Sequence, residues 1–123
     1  MHGELHIWAT KKNYYMRTVH LHFDSNNTLN IVGADYDNIL AELFGISAHY
    51  YTIRIQQVDL KFLKGVLADR FPHKQLEKEE TFFQLIRWLI LISSSVQAFR
   101  NFLQKNRINF EFVSYRNQMA EVA

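Results

Sequence analysis

The chain has 123 residues, which suits one domain and leaves too little length for two independent hydrophobic cores. Hydrophobic residues make up 48% of the chain and charged residues 21%, a balance that excludes an intrinsically disordered protein. The net charge is only +2, and without cysteine the chain can form no disulfide, thiolate metal site or cysteine nucleophile.

Two segments bear on cellular location. Residues 1–10 have neither the basic nor the apolar region of a signal peptide. The longest apolar stretch, residues 85–92, is interrupted by Arg87 and is far shorter than the roughly 20 residues that a transmembrane helix needs. We therefore expect a cytoplasmic protein with no membrane span.

The first part of the chain alternates between apolar and polar residues, which predicts β-strands. Three strands are expected, at residues 4–10, 16–23 and 29–34. Residues 24–27 predict a turn, because Asn and Asp tolerate left-handed backbone and hydrogen-bond to their own main chain. The strands should form an antiparallel meander, with the even-numbered side chains of the first two facing away from the core.

Residues 37–44 predict a short helix that Asp37 caps and Gly45 ends. A fourth strand is expected at residues 50–58, with Tyr51, Ile53 and Ile55 facing inward. After this strand, Asp59 should cap a second helix, which ends at Pro72.

The longest helix is predicted at residues 81–105. Its first half is apolar on nearly all sides, so neighbouring elements must cover it on several sides. Residues 93–95 are all serine, which lowers the helix propensity in the middle and permits a bend. Residues 109–115 alternate again and predict a final strand.

These elements together predict the order βββαβααβ. The fold class is therefore α+β, with a mixed, mainly antiparallel sheet and helices packed on one face. Residues 1–115 are expected to form the single domain, and residues 116–123 a polar C-terminal tail.

Three histidines are candidates for a metal site. His20 and His22 lie two residues apart in a strand, so both point to the same face. If His6 of the first strand lies opposite His20, three imidazoles lie together there, with Asp24 just beyond. Such a set can bind Zn²⁺, and an open fourth position suits hydrolysis. The alternative is that these residues form an ordinary solvent face of the sheet.

The same face carries residue types that are enriched in protein interfaces. A sheet face left to water more often carries Lys, Glu and Ser. The candidate partner-binding residues are Trp8, His20, His22, Tyr50, Thr52 and Arg54. The competing explanation is that another part of the chain covers them.

Basic residues cluster around the end of the longest predicted helix, with two aromatic residues near them: Arg100, Lys105, Arg107, Arg116, Phe110 and Tyr115. Basic groups beside aromatic rings can hold phosphates and stack bases. From Asp59 onward the chain has ten basic and seven acidic residues, a weaker excess than dedicated nucleic-acid binders usually have. Nucleic acid is therefore the less favoured partner.

Common catalytic motifs are missing from the sequence. The four glycines are isolated, so no glycine-rich phosphate loop exists, and Gly-x-Ser-x-Gly does not occur. We therefore predict a non-enzymatic protein-binding domain without a cofactor, a monomer or dimer of the type of small inhibitors or immunity proteins that occupy a toxin domain. A histidine-based metal-binding domain or hydrolase and a nucleic-acid accessory protein are the alternatives.

Overall fold

The computed structural model describes residues 2–9, 14–37, 46–93 and 96–118, and it describes side chains at residues 17–35, 49–93 and 96–114. Five strands form one sheet: β1 (His2–Ala9), β2 (Tyr14–Phe23), β3 (Leu29–Asp37), β4 (Ile46–Ile55) and β5 (Glu111–Gln118). They are adjacent in chain order, and each pairing is antiparallel. Three helices are described between β4 and β5: α1 (Gln57–Arg70), α2 (Glu79–Ile92) and α3 (Val96–Lys105).

The hydrophobic core lies between the helices and one face of the sheet. Successive side chains of a strand point to opposite faces, so alternate residues enter the core. The fully buried apolar residues of the strands are the odd-numbered Val19, Leu21, Leu29, Ile31, Tyr51, Ile53 and Ile55. Leu63 of α1 and Phe82 and Ile86 of α2 cover them. The predicted inward set of β4 is confirmed, as is the outward direction of the even-numbered side chains at 18, 20 and 22 of β2.

The predicted α+β class, with a mainly antiparallel sheet and helices on one face, is confirmed. The sheet was expected to be mixed, but each described strand pairing is antiparallel. The helix predicted at residues 37–44 falls outside the described residues, except that Asp37 ends β3. At the other end of the chain, β5 continues to Gln118 because it stays paired with β4 as far as Ile46. The first three residues of the predicted tail therefore belong to the sheet.

Asp59 was expected to cap the helix after β4, and this prediction is wrong. The N-cap is Gln56, and Asp59 lies within the first turn of α1. Its Oδ1 accepts a hydrogen bond from the backbone N–H of Asn109 at 3.2 Å. The carboxylate therefore ties the start of α1 to the segment that leads into β5.

The prediction of one long helix at residues 81–105 is also wrong. α2 ends at Ile92, and α3 runs at 120° to it. The Ser93 hydroxyl donates to the carbonyl of Leu89 at 2.6 Å, a local bond that competes with continued helix. No described helix is by itself long and apolar enough to span a membrane, and only α2 and α3 taken together across their bend pass that test of length and composition.

The register between β1 and β2 differs from the predicted hairpin. His6 lies opposite Arg17 instead of His20, and Trp8 lies opposite Tyr15. The even-numbered positions of β1 therefore share rows with odd-numbered positions of β2. The predicted grouping of His6 with His20 is wrong. A change of register by an odd number of residues moves every residue of a strand in line with the opposite set of residues on its neighbour.

Gly33 allows the ring of Tyr51 to lie across β3. The two residues are opposite each other in the register, and a Cβ at Gly33 would lie 2.3 Å from the ring atom Cζ of Tyr51. The Tyr51 side chain is fully buried and stacks on Phe112, with ring centroids 6.5 Å apart. Its hydroxyl has no hydrogen-bond partner among the described residues.

The buried Tyr51 hydroxyl predicts a loss of stability at alkaline pH. Burial raises the pKa of Tyr51 above its ordinary value, and the charge of Asp35 raises it further, while Arg17 acts in the opposite direction. Above pH ~10 the unfolded chain therefore releases a proton that the folded protein keeps, so the free energy of unfolding falls as pH rises. We expect Tyr51→Phe to remove this part of the slope in urea unfolding between about pH 9 and 11. Equal slopes for the two proteins would contradict the assignment.

Candidate functional site

The sheet has a second side, away from the helices, which we call the open face. Its described residues are Thr18, His20, His22, Asn30, Val32, Ala34, Tyr50, Thr52, Arg54, Glu111 and Val113. β2, β3, β4 and β5 place them there by the alternation that sends their neighbours in the chain into the core. Five of the six predicted partner-binding residues belong to this set. The side chain of the sixth, Trp8, is not described, and the register places this residue opposite Tyr15, in line with the odd-numbered residues of β2.

The centre of the open face is a row of four residues that are neighbours across four strands. The register joins His20 to Val32, Val32 to Thr52 and Thr52 to Val113. Side chains opposite each other in such pairs lie roughly 5 Å apart, so the row is a continuous surface. Val32 is 36% exposed and Val113 is 53% exposed. The row therefore presents an apolar strip with a histidine at one end.

A polar network borders this row on the side of the β2–β3 turn. Arg54 donates to Oδ2 of Asp24 at 3.3 Å and forms an ion pair with Glu111 at 3.5 Å. Asn30, which pairs with Arg54 in the register, also donates to Asp24 Oδ2, at 3.2 Å. Two carboxylates face one guanidinium here, so this part of the open face carries a small net negative charge.

Asp24 organises the turn at the border. Its Oδ1 accepts backbone N–H groups from Asn26 at 2.8 Å and Thr28 at 3.1 Å. The bonds from Thr28 and Asn26 lower the pKa of Asp24 below its ordinary value, burial acts weakly against them, and Asn30 and Arg54 lower it further. The carboxylate therefore stays charged and holds Arg54 in place on the open face.

On the opposite border lies the row of Thr18, Ala34 and Tyr50. Ala34 is buried between its two larger neighbours, which are half-buried. This border therefore carries two half-buried side chains with hydroxyl groups, on either side of a small buried residue.

The structure describes two of the three histidines of the predicted metal site, and metal binding stays a prediction. His20 and His22 are half-buried on the open face, as predicted, and His22 Nδ1 is buried with no hydrogen-bond partner in the described part of the chain. The described side chains contain no group of three residues placed to hold a metal ion. The side chain of His6 is not among them, and its place in the register is opposite Arg17.

The third predicted site lies on the other side of the sheet. Arg100 and Arg107 line one cleft with Phe110, and Lys105 is exposed near it at the end of α3. The side chains of Tyr115 and Arg116 lie outside the described set. The structure thus brings together two of the four predicted basic residues with one of the two aromatic residues.

Sequence reasoning missed a buried ion pair. Arg17 is only 2% exposed, and its Nε and Nη2 donate to the two carboxylate oxygens of Asp35, at 2.6 and 3.3 Å. Its Nη1 donates to the carbonyls of Ile90 at 2.8 Å and Ser93 at 2.6 Å, where α2 ends. The available signal was the position of Arg17 within the inward-facing set of β2, beside Val19 and Leu21.

In comparisons with known proteins, no family model, curated protein or solved structure matched this chain.

Proposed function

We propose that this chain is a non-enzymatic protein-binding domain that docks on a partner protein through the open face. The observation that carries the proposal is the central row, in which the exposed Val32 and Val113 flank Thr52. None of the described helices covers this row, because all three pack on the opposite side of the sheet. Apolar groups that stay exposed together in this way favour a binding role.

The shape of the open face favours a protein over a small molecule. Small-molecule sites are concave and enclose most of their ligand. A sheet face is broad and shallow, and here it carries an apolar strip with polar borders on both sides. This arrangement of an apolar centre and a polar rim is typical of protein–protein interfaces.

The charge of the open face indicates which kind of partner surface would fit it. Arg54 is paired with Asp24 and Glu111, which leaves only one negative charge in excess, so no strong field attracts an oppositely charged partner. Binding then depends on apolar contact with the valines and on hydrogen bonds from His20, Thr52 and Tyr50. We propose a cytoplasmic inhibitor or immunity-type protein, which would use this face to cover a partner such as a toxin domain.

The test compares two exposed valines on opposite sides of the molecule. Val113 lies in the central row and is 53% exposed, whereas Val58 lies on α1 and is 59% exposed. A glutamate at 113 would have to lose its water in the interface, which is costly for an unpaired charge. We expect Val113→Glu to weaken binding at least about tenfold, equivalent to about 1.4 kcal/mol, and Val58→Glu to leave it unchanged.

The measurement starts with affinity capture by the wild-type chain and both variants, with quantitative mass spectrometry. The captured protein is then purified, and its Kd for each variant is determined by calorimetry. Thermal unfolding of all three chains checks that the fold is intact. Equal affinity of the wild type and Val113→Glu, or loss of binding in Val58→Glu alone, would contradict the proposal.

A further inference from the structure

A cleft on the helix side of the sheet lies where the end of α3 meets the start of β5. We call it the basic cleft, and its lining residues are Arg100, Gln104, Arg107, Ile108, Asn109, Phe110 and Phe112. It is an open cleft with a volume of about 430 Å³, within the usual range of small-ligand sites. Because Phe112 pairs with the core residue Ile53, the basic cleft lies on the side of the sheet opposite to the open face.

The lining of the basic cleft carries two guanidinium groups and no carboxylate. Two acidic residues near its rim have partners of their own. Asp59 accepts the backbone N–H of Asn109, and Glu111 pairs with Arg54 on the border of the open face. The cleft therefore has a local positive charge that the small net charge of the chain does not reveal.

Arg100 is held in position before any ligand arrives. Its guanidinium lies over the ring of Phe112, 3.7 Å from the centroid, and its Nη1 donates to Oε1 of Gln97 at 2.6 Å. Gln97 is itself fixed by a hydrogen bond to Asn101 at 2.7 Å. A guanidinium that is already ordered loses little entropy on binding an anion, which raises affinity.

Arg107 occupies a position that favours glycine. Its φ is +59°, and the backbone N–H of Ile108 donates to the carbonyl of Leu103 at 2.9 Å, closing the end of α3. Glycine is the usual residue at such a helix end, because other residues are strained in this conformation. A strained arginine beside a cleft points to a use for its side chain, in addition to its favourable interaction with the helix dipole.

The basic cleft also offers an aromatic surface. Phe110 is only partly buried and forms the wall that separates this cleft from the one beside Arg54. Asn109 and Gln104 add amide groups that can donate and accept hydrogen bonds. Two cations beside a partly exposed ring, with amide groups among the lining residues, suit a ligand that joins a phosphate to a planar base.

We infer that the basic cleft binds a nucleotide unit. Arg100 and Arg107 hold the phosphate, and the base lies against Phe110. Such a unit can come from a free mononucleotide or from single-stranded nucleic acid. The inference does not depend on the proposed protein-binding function, because the two sites lie on opposite sides of the sheet.

The experiment measures binding of the full chain to fluorescein-labelled 12-mers of deoxythymidine and uridine by fluorescence anisotropy. Thymidine monophosphate, uridine monophosphate and inorganic phosphate are competitors. With two phosphate contacts, we expect the logarithm of the binding constant to fall with the logarithm of salt concentration with a slope of about −1.4. Removing either arginine should lower this slope by about half and weaken binding about fivefold at low salt.

Three variants make the test specific. Arg107→Gly should weaken binding while keeping or raising the Tm, because glycine relieves the strained backbone. Arg100→Gln should weaken binding in the same way. Arg70→Gln is the matched control, since Arg70 also lies over a ring, 5.5 Å from the centroid of Phe102, but outside the basic cleft. We expect this control to bind like the wild type.

The competitors identify the source of the nucleotide unit. Displacement of the label by a mononucleotide, with inorganic phosphate much weaker, would support a free nucleotide. Binding of the 12-mers that mononucleotides do not displace would support single-stranded nucleic acid. Absence of binding to all probes at 50 mM salt, or equal losses in Arg70→Gln and Arg107→Gly, would overturn the inference.

Discussion

Replacing Arg17 by methionine is expected to lower the free energy of unfolding by about 3 to 5 kcal/mol. The substitution keeps most of the side-chain volume but removes the guanidinium from three sets of acceptors. Asp35 would lose its ion pair, and the carbonyls of Ile90 and Ser93 would lose their donor at the end of α2. A carboxylate and buried carbonyls without partners are costly in a low-dielectric interior.

Urea unfolding followed by circular dichroism measures this loss. Arg54→Met is the matched control, because Arg54 also bridges two acceptor groups but its side chain is 41% exposed. Exposed ion pairs contribute at most about 1 kcal/mol, so we expect a small change there. The double variant Arg17→Met with Asp35→Leu should recover part of the loss, since it leaves no unpaired carboxylate. Similar small effects of Arg17→Met and Arg54→Met would refute the assignment.

A second large loss of stability is expected from a substitution at Gly33. An alanine there would place its Cβ 2.3 Å from the Tyr51 ring, a distance at which the ring must move. The ring cannot move freely, because it is fully buried and stacked on Phe112. Overpacking of a tight core typically costs 1 to 3 kcal/mol, and we expect Gly33→Ala to lower the free energy of unfolding by about 3 kcal/mol.

The chain contains its own control for this substitution. Gly65 lies in α1, and a Cβ there would meet no atom within 4 Å. Gly65→Ala should therefore stabilise the protein by about 0.5 to 1 kcal/mol through the helix propensity of alanine. In a Tyr51→Leu background, which replaces the ring by a shorter side chain, Gly33→Ala should cost little. A cost that is unchanged in that background would show that the ring is not the cause.

Alternation in the sequence predicted much of the candidate binding surface. In β2 and β4 it separated inward from outward residues correctly, because a strand of period two leaves each side chain only two directions. It could not predict the register of β1, since the same alternation is compatible with several pairings. His6 and His20 were therefore placed in one row, whereas His6 lies opposite Arg17.

The break between α2 and α3 shows a second limit of sequence reasoning. Ser93 and its neighbours indicated a weak point in the helix, but propensity alone cannot decide between a bend and an end. The carbonyls of Ile90 and Ser93 accept hydrogen bonds from Arg17, which lies 73 and 76 residues earlier in the chain. The role of Asp59 could not be predicted for the same reason, because its hydrogen-bond partner Asn109 lies 50 residues later.

Composition and local alternation by themselves determined that this chain folds as an α+β domain and which residues of β2 and β4 enter its core. These properties follow from the apolar content and from the geometry of each strand. Tertiary structure alone decided the register of β1, the end of α2, the ion pair of Arg17 with Asp35 and the meeting of Arg100 with Phe112. Each of these depends on groups distant in the chain, and their free energy depends on burial and distance, which exist only after the elements have packed together.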